Sequence, residues 1–445
     1  MSAAKRFRWI VLEDDREWQG FLWDAISPDL SSPAFVGSLD SLLRELAKRP
    51  AHLLSLDQNV PEKDEGQSVT TQENGLRFLE QIQASRPLVR TAIYTGYPKS
   101  RRGHRAGQAG AEEYIEKSFP GSLPHSPPSP EALEPRDYMD LLEVLLRGGI
   151  RPHTSRQDSG YVPWALERGT RFLPPFLALH CGKIANAVGR SGWEDAFRQL
   201  FKLREQAMNF EWAHAAALCR AFRIQNTFVP KGGFKNTLAV ELDLLRLWEA
   251  LDTGKRLGAW KGYVSEQDET GTWGSAGKAL FRDTQNLRDM RNKHYHGTRH
   301  FSRQDYEAEQ TGFLAIIDAL AFWADNPLMI AVRNHKDRTG WLEFDRLAGN
   351  PPFPRAELVS TARLHGTMEQ RQERIHVLHR DDSGEHLVDL HPFVTMKSLP
   401  GREPLPCVLI PPQSGQKARW VSLLDYSVLS DLKVEKEDEA AIFGP

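Results

Sequence analysis

From residue 7 to residue 119 the chain alternates short apolar runs with segments of helical spacing, and few folds accept that pattern. The runs are Phe7–Leu12, Ala34–Gly37, His52–Leu56, Arg90–Tyr94 and Glu113–Ile115. Between them, Arg16–Ile26, Leu39–Ala47 and Gly75–Ala84 place their apolar residues on one helical side. A run that is apolar throughout is buried on both faces, which parallel strands joined by covering helices allow. The expected fold over residues 1–150 is therefore a doubly wound α/β domain. Its last helix, Arg136–Arg147, follows a loop at residues 120–135 whose six prolines forbid helix and central strand.

The rest of the chain changes character twice. Residues 151–161 read as a linker. Residues 162–330 read as all-helical, with patterns at Pro163–Val188, Trp193–Phe222, Lys235–Asp252, Ser275–His296 and Arg303–Asp325. Residues 331–445 read as a small, mostly-β module with a loose tail; its strand-like runs include Trp341–Phe344, Ile375–Leu378, His386–Leu390, Cys407–Ile410 and Trp420–Ser422. The length of 445 residues agrees with about three domains of roughly 150 residues each.

Charge and composition narrow the function classes. The 57 Lys+Arg against 59 Asp+Glu leave a net charge of −2, which excludes a chain-wide polycation that coats nucleic acid. Three scattered cysteines (Cys181, Cys219, Cys407) offer neither a disulfide framework nor a thiolate zinc site, and they fit a reducing compartment. No segment reaches about 18 uninterrupted apolar residues, and the start lacks a signal-peptide core. A cytoplasmic protein without membrane spans is expected. The chain carries no P-loop, no dinucleotide-binding glycine fingerprint and no nucleophile elbow.

Chemistry-bearing residues stand at the ends of the proposed strands. Glu13, Asp14 and Asp15 follow the first, Asp57 the third, Thr95 the fourth and Lys117 the fifth. In an open parallel sheet these ends lie along one edge, where ligands bind. Converging carboxylates repel one another unless a hard cation such as Mg²⁺ joins them. A carboxylate held there can attack a phosphoryl donor. A hydroxyl and an ammonium nearby can then bind the transferred oxygens.

These residues resemble the receiver domain of two-component response regulators, a flavodoxin-like fold. The match rests on the acid pair Asp14 and Asp15 with Glu13 before it, on Asp57-Gln-Asn-Val-Pro61, on Thr95-Gly96 and on Glu113-Tyr-Ile-Glu-Lys117. The resemblance implies that Asp57 accepts a phosphoryl group from a sensor histidine kinase or another phosphodonor. It implies Mg²⁺ held by Asp14, Asp15, Asp57 and the backbone carbonyl of Asn59, with Glu13 a further candidate. Thr95 and Lys117 would sense the phosphoryl group, and Tyr114 would be the switch aromatic. Two positions depart from the family. The loop Glu62–Asn74 is long and polar, and Ser118 stands where the family usually has proline.

A second constellation lies near residue 290. Between Gly277 and Arg303 there are seven Lys/Arg and three His against two acids, a local basic patch suited to a polyanion. Arg291-Asn292-Lys-His-Tyr-His296 can clamp a phosphodiester and move a proton, which suffices for metal-independent RNA cleavage. The stretch resembles the HEPN family, whose signature is Arg, a polar residue, three to five further residues and His. That resemblance implies an all-helical bundle, RNA as substrate and a site completed across a homodimer. Arg291, Asn292 and His296 would be catalytic, with Arg288 and His294 in support and no cofactor. The combined expectation is a response regulator with a HEPN-like endoribonuclease effector. The alternatives are a phosphorylation-gated scaffold whose helical domain is silent, and a DNA-binding transcription regulator.

Overall fold

Five strands of the first part form one parallel sheet. They are β1 (Trp9–Leu12), β2 (Ala34–Val36), β3 (Leu53–Leu56), β4 (Arg90–Thr95) and β5 (Glu113–Glu116), in the order β2-β1-β3-β4-β5. This is the doubly wound, flavodoxin-like order, with its reversal of direction between β1 and β3. The computed structural model describes residues 7–28, 30–48, 51–63, 74–97, 99–118, 132–147, 149–150, 157–158, 160–224, 237–256, 285–295, 300–334, 339–349, 355–360, 374–381, 384–398, 403–410, 418–425, 427–430 and 432–434. Residue contacts gather the chain into two units, Met1–Ala165 and Leu166–Pro445.

Strand periodicity sorts the first unit's helices onto two faces. Ile10, Leu12, Leu54, Leu56 and Ile93 point to one face. There they pack on α2 (Leu39–Lys48) through Leu42 and Leu46, on α3 (Asn74–Ser85) through Leu76, Leu79 and Ile82, and on α4 (Lys99–Gln108) through Ala106. Each fully buried leucine contributes about 1.5–3 kcal/mol relative to exposure. The opposite face carries α1 (Arg16–Asp24) against α5 (Pro135–Arg147). Buried Ser55 bonds Tyr138 of α5 from that side, Oγ to OH at 2.7 Å. The five strands and four of the helices match the sequence expectation. Helix α4 was not expected, because Lys-Ser-Arg-Arg-Gly-His-Arg-Ala-Gly-Gln has no apolar stripe beyond Ala106. A short ribbon, β6 (Gly149–Ile150) with β7 (Gln157–Asp158), follows α5.

The second unit is helical and then β. Helix α6 (Tyr161–Phe172) gives way to α7 (Pro175–Gly189), where a single helix over Pro163–Val188 was expected. Pro174 and Pro175 have no amide to donate and cannot continue the preceding turn, although a proline serves well as the first helical residue of α7. Helices α8 (Trp193–Ala221), α9 (Thr237–Thr253), α10 (Gln285–Tyr295), α11 (Arg303–Ala308) and α12 (Gln310–Asp325) follow. The expected Arg303–Asp325 helix is thus two, divided at Glu309, and Ser302 and Asp305 form a capping box at the start of α11.

Two antiparallel sheets complete the unit. One runs β10-β9-β8-β11-β12, built from β8 (Leu328–Asn334), β9 (Trp341–Leu347), β10 (Arg355–Ser360), β11 (Ile375–Asp381) and β12 (Gly384–Asp389). The other is β13 (Val394–Lys397), β14 (Leu405–Ile410) and β15 (Arg419–Ser422). Strand β8 begins at Leu328, within the stretch expected to be helical to residue 330, because Pro327 ends α12. No helix among the described residues is long and apolar enough to cross a membrane.

Candidate functional site

The acid run after β1 is divided among three tasks. The Glu13 amide still bonds to the sheet, donating to the Val36 carbonyl at 2.9 Å, and the residue is only 2% exposed. Asp14 is exposed at the edge of the site. Asp15 has extended backbone and caps α1, its Oδ1 accepting from the amides of Glu17 (2.8 Å) and Trp18 (3.4 Å). The carboxylates that converge are therefore Glu13, Asp14 and Asp57, with ligand oxygens within 4.8 Å of one another. Asp15 was expected among the metal ligands and Glu13 only beside them. A pattern legible in the sequence points to the capping role, since an Asp immediately before an amphipathic helix is a preferred N-cap.

Asp57 is carried by the end of β3. Its amide donates to Leu12 O at 2.9 Å, and its Oδ1 accepts from the Gln58 amide at 2.6 Å. Lys117, just past β5, reaches both remaining acids. Its Nζ lies 2.6 Å from Glu13 Oε2 and 2.8 Å from Asp57 Oδ2, with all three residues buried. Burial alone would lower the Lys117 pKa, but the Asp57 and Glu13 charges outweigh it and hold the pKa above its ordinary value. Burial raises Glu13 to about 7 against the opposing pull of Lys117, with the Asp57 charge adding to the rise. Asp14 is raised as well, chiefly by lost hydration, with the charge of Asp57 adding. Lys117 also sits 5.2 Å from the ring of Trp18 and 5.7 Å from that of Tyr94, two contacts that the sequence reading missed.

Thr95 is fully buried at the end of β4, and its Oγ1 has no hydrogen-bond partner among the described residues. An orphaned hydroxyl costs about 1–3 kcal/mol unless a ligand fills its valence. Tyr114 is turned inward, 5% exposed. Its OH donates to Tyr97 O at 3.1 Å, and burial holds its pKa up at about 12. The loop after Asp57 packs hard against α3, where a Cβ on Gly75 would lie 2.3 Å from the Asp57 carbonyl oxygen. Asn59 lies in this loop.

The second constellation is only partly described. Arg291, Asn292 and His294 lie on α10, with Arg291 and His294 half-buried and Asn292 exposed. Arg291 Nη2 bonds Glu205 Oε2 of α8 at 3.1 Å, and His294 Nδ1 lies 2.9 Å from Glu194 Oε1. His296 and the side chain of Arg288 fall outside the described residues. Among the described residues no other group of acids, histidines and cysteines has the proximity to hold a metal.

No protein-family model matches the chain, and no curated protein matches it. Among solved structures, the chain is similar to a CheY-like receiver domain protein from Methanospirillum hungatei, at 18% identity over 31% of this chain and 90% of that one (TM-score 0.24). It is similar to a phosphorylated cyanobacterial phytochrome response regulator, RcpA, at 14% identity over 34% of this chain and 99% of the other (TM-score 0.25). It is also similar to the Mn²⁺-bound response regulator Rcp1, at 15% identity over 25% of this chain and 81% of that one (TM-score 0.22). The strand order and register of the first unit, rather than these likenesses, establish its flavodoxin-like fold.

Proposed function

We propose that the chain is a response regulator whose first unit receives a phosphoryl group on Asp57. The observation that carries this reading is the Lys117 ammonium, held 2.8 Å from Asp57 Oδ2 beside three converging carboxylates. An Asp57 oxygen donates its electron pair to the donor's phosphorus, and the donor's bridging bond breaks with its electrons leaving on the donor fragment. Hard carboxylate oxygens and the orphaned Thr95 hydroxyl fit Mg²⁺ with a phosphoryl group beside it. Glu13, Asp14, Asp57 and the backbone carbonyl of Asn59 would hold the ion, which supplies charge neutralisation at the phosphoryl oxygens. Asp15 positions α1. Lys117 moves its ammonium from Asp57 to the new oxygens, and Thr95 donates its hydroxyl to one of them. Tyr114 then responds to the shift of Thr95. The donor is a sensor histidine kinase or a small acyl phosphate. Wild type incubated with acetyl phosphate and Mg²⁺ gains one acid-labile phosphoryl group by intact mass, whereas Asp57→Ala gains none; equal labelling of the two contradicts the assignment.

For residues 162–330 two readings follow, with 331–445 as an accessory module and 1–150 as the regulated part. The scaffold reading is supported by Arg291 and His294 being engaged with Glu205 and Glu194, as helix-packing contacts would be. The HEPN-like endoribonuclease reading, as a cytoplasmic homodimer acting on RNA, is supported by the run Arg291-Asn292 to His296 in a basic stretch. Total RNA incubated with the full chain in EDTA separates them. Fragments ending in 2′,3′-cyclic phosphate that vanish in Arg291→Ala/His296→Ala favour the nuclease, and intact RNA in both phosphorylation states favours the scaffold.

A further inference from the structure

The Lys117 ammonium lies against two carboxylates and two aromatic rings. Glu13 Oε2 and Asp57 Oδ2 stand 2.6 and 2.8 Å from its Nζ, and the rings of buried Trp18 and Tyr94 have their centres 5.2 and 5.7 Å from it. The rings meet edge to face, centres 5.8 Å apart and planes at 84°, so they form a corner behind the ammonium. A cation within about 6 Å of a ring centre is drawn to the negative face of the ring, most strongly where water is excluded. The carboxylates supply the larger attraction. A lysine ammonium is nevertheless a point charge on a flexible stem, and two acids alone leave it free to shift between them.

Neither ring depends on Lys117 for its own place. Trp18 belongs to the first turn of α1, whose start Asp15 fixes by accepting from the Glu17 and Trp18 amides at 2.8 and 3.4 Å. Tyr94 lies on β4. Its ring stacks on that of Tyr138 in α5, centres 3.8 Å apart and planes at 9°, and its hydroxyl donates to Leu133 O at 3.0 Å. The corner is therefore built before any donor arrives. A charged group held in place beforehand gives up its freedom before the reaction begins, which is how pre-organisation speeds a step.

We propose that Trp18 and Tyr94 are positioning residues for phosphoryl transfer, an aromatic corner that keeps the Lys117 ammonium at the oxygens of Asp57. The inference rests on Asp57 being the phosphoacceptor, and the two rings act on that step only through Lys117. It also gives the Asp15 cap a task at the site, because the start of α1 decides where Trp18 stands.

The test follows the rate at which the full chain gains a phosphoryl group from acetyl phosphate and Mg²⁺, by intact mass, beside the urea midpoint without Mg²⁺. Trp18→Leu and Tyr94→Leu each slow labelling about threefold or more. Tyr94→Phe restores most of the rate lost in Tyr94→Leu, since the ring matters here and the hydroxyl does not. Ring fluorination separates charge from shape, because it drains the negative face of the ring with little change in size. In Tyr94→Phe carrying successive ring fluorines, labelling slows step by step, and the Mg²⁺-free urea midpoint falls with it. In Lys117→Met the midpoint no longer follows the fluorines. The fluorinated series keeps the proposal testable where a leucine variant fails to fold. A labelling rate that ignores fluorination overturns the proposal, and so does a midpoint trend equally steep in Lys117→Met; either makes the rings plain packing. Wild type that labels at Asp57 at the same rate as the ring variants sinks this inference alone. Wild type that never labels removes the phosphoacceptor reading and this inference with it.

Discussion

The Ser118 amide donates to the Leu133 carbonyl at 2.9 Å. Leu133 in turn donates to Glu116 O at 3.0 Å, and the Tyr94 hydroxyl joins the same Leu133 carbonyl at 3.0 Å. The chain thus returns to the free edge of β5 immediately beside Lys117, as an isolated parallel bridge. A proline at position 118, the residue that receivers usually have there, has no amide to give. Any residue other than proline keeps this bond, and serine is one of them. Lys117 keeps its place because its own amide is anchored to Thr95 O at 2.9 Å.

Ser118→Pro therefore frees the edge. It should cost about 1–3 kcal/mol and raise hydrogen exchange at the Leu133 amide, whereas Ser118→Ala leaves both unchanged. Equal protection of Leu133 in the proline variant would refute the role given to this bridge.

Gly75→Ala forces a methyl group to within 2.3 Å of the Asp57 carbonyl. Backbone must move, so urea denaturation should report a loss of about 1–3 kcal/mol. Phosphorylation by acetyl phosphate should slow as the Asp57 loop shifts. A variant with wild-type stability and rate would show that the loop yields without cost.

Lys117→Met removes the cation that buried Glu13 and Asp57 share. Leaving such charges unpaired costs roughly 3–5 kcal/mol. Mg²⁺ should recover part of that loss by binding only the folded form, more in this variant than in wild type. Thermal unfolding with and without millimolar Mg²⁺ measures the difference. No greater rescue of the variant would argue against a cation among Glu13, Asp14 and Asp57.

Glu211, buried on α8, is raised to about 8 by desolvation against the opposing charge of Arg204. Its ordinary value is 4.5. Stability from this group is complete below pH 4.5 and declines as pH rises, because the folded state must keep a proton that the unfolded chain releases; above pH 8 the loss is complete. Glu211→Gln should gain on the order of 4 kcal/mol near pH 8 and little near pH 4. A gain independent of pH would place the effect in packing instead.

Legibility followed hydrophobic pattern. The parallel sheet could be read because each strand has an apolar centre set between segments of helical spacing, and Lys117, Thr95 and Asp57 could be placed because strand ends share one edge. Helix α4 escaped because its sequence offers no apolar stripe beyond Ala106, which leaves no periodicity to detect. The capping position of Asp15 was not separated from the acid cluster, because adjacent acids look alike until the end of β1 is fixed. Trp18 and Tyr94 carried no signal, since their importance lies in contacts made across the site. The break at Pro174-Pro175 was available in the sequence but overridden by helical spacing on both sides of it.

The proposed chemistry places a phosphoryl group on Asp57 with the help of a cation. Borohydride reduction of an acyl phosphate converts the aspartate to homoserine, which peptide mass mapping then locates. Treated with acetyl phosphate and Mg²⁺, the full chain should carry homoserine at position 57 alone, and none after EDTA. Homoserine at another position, or equal conversion at 57 in EDTA, would contradict it.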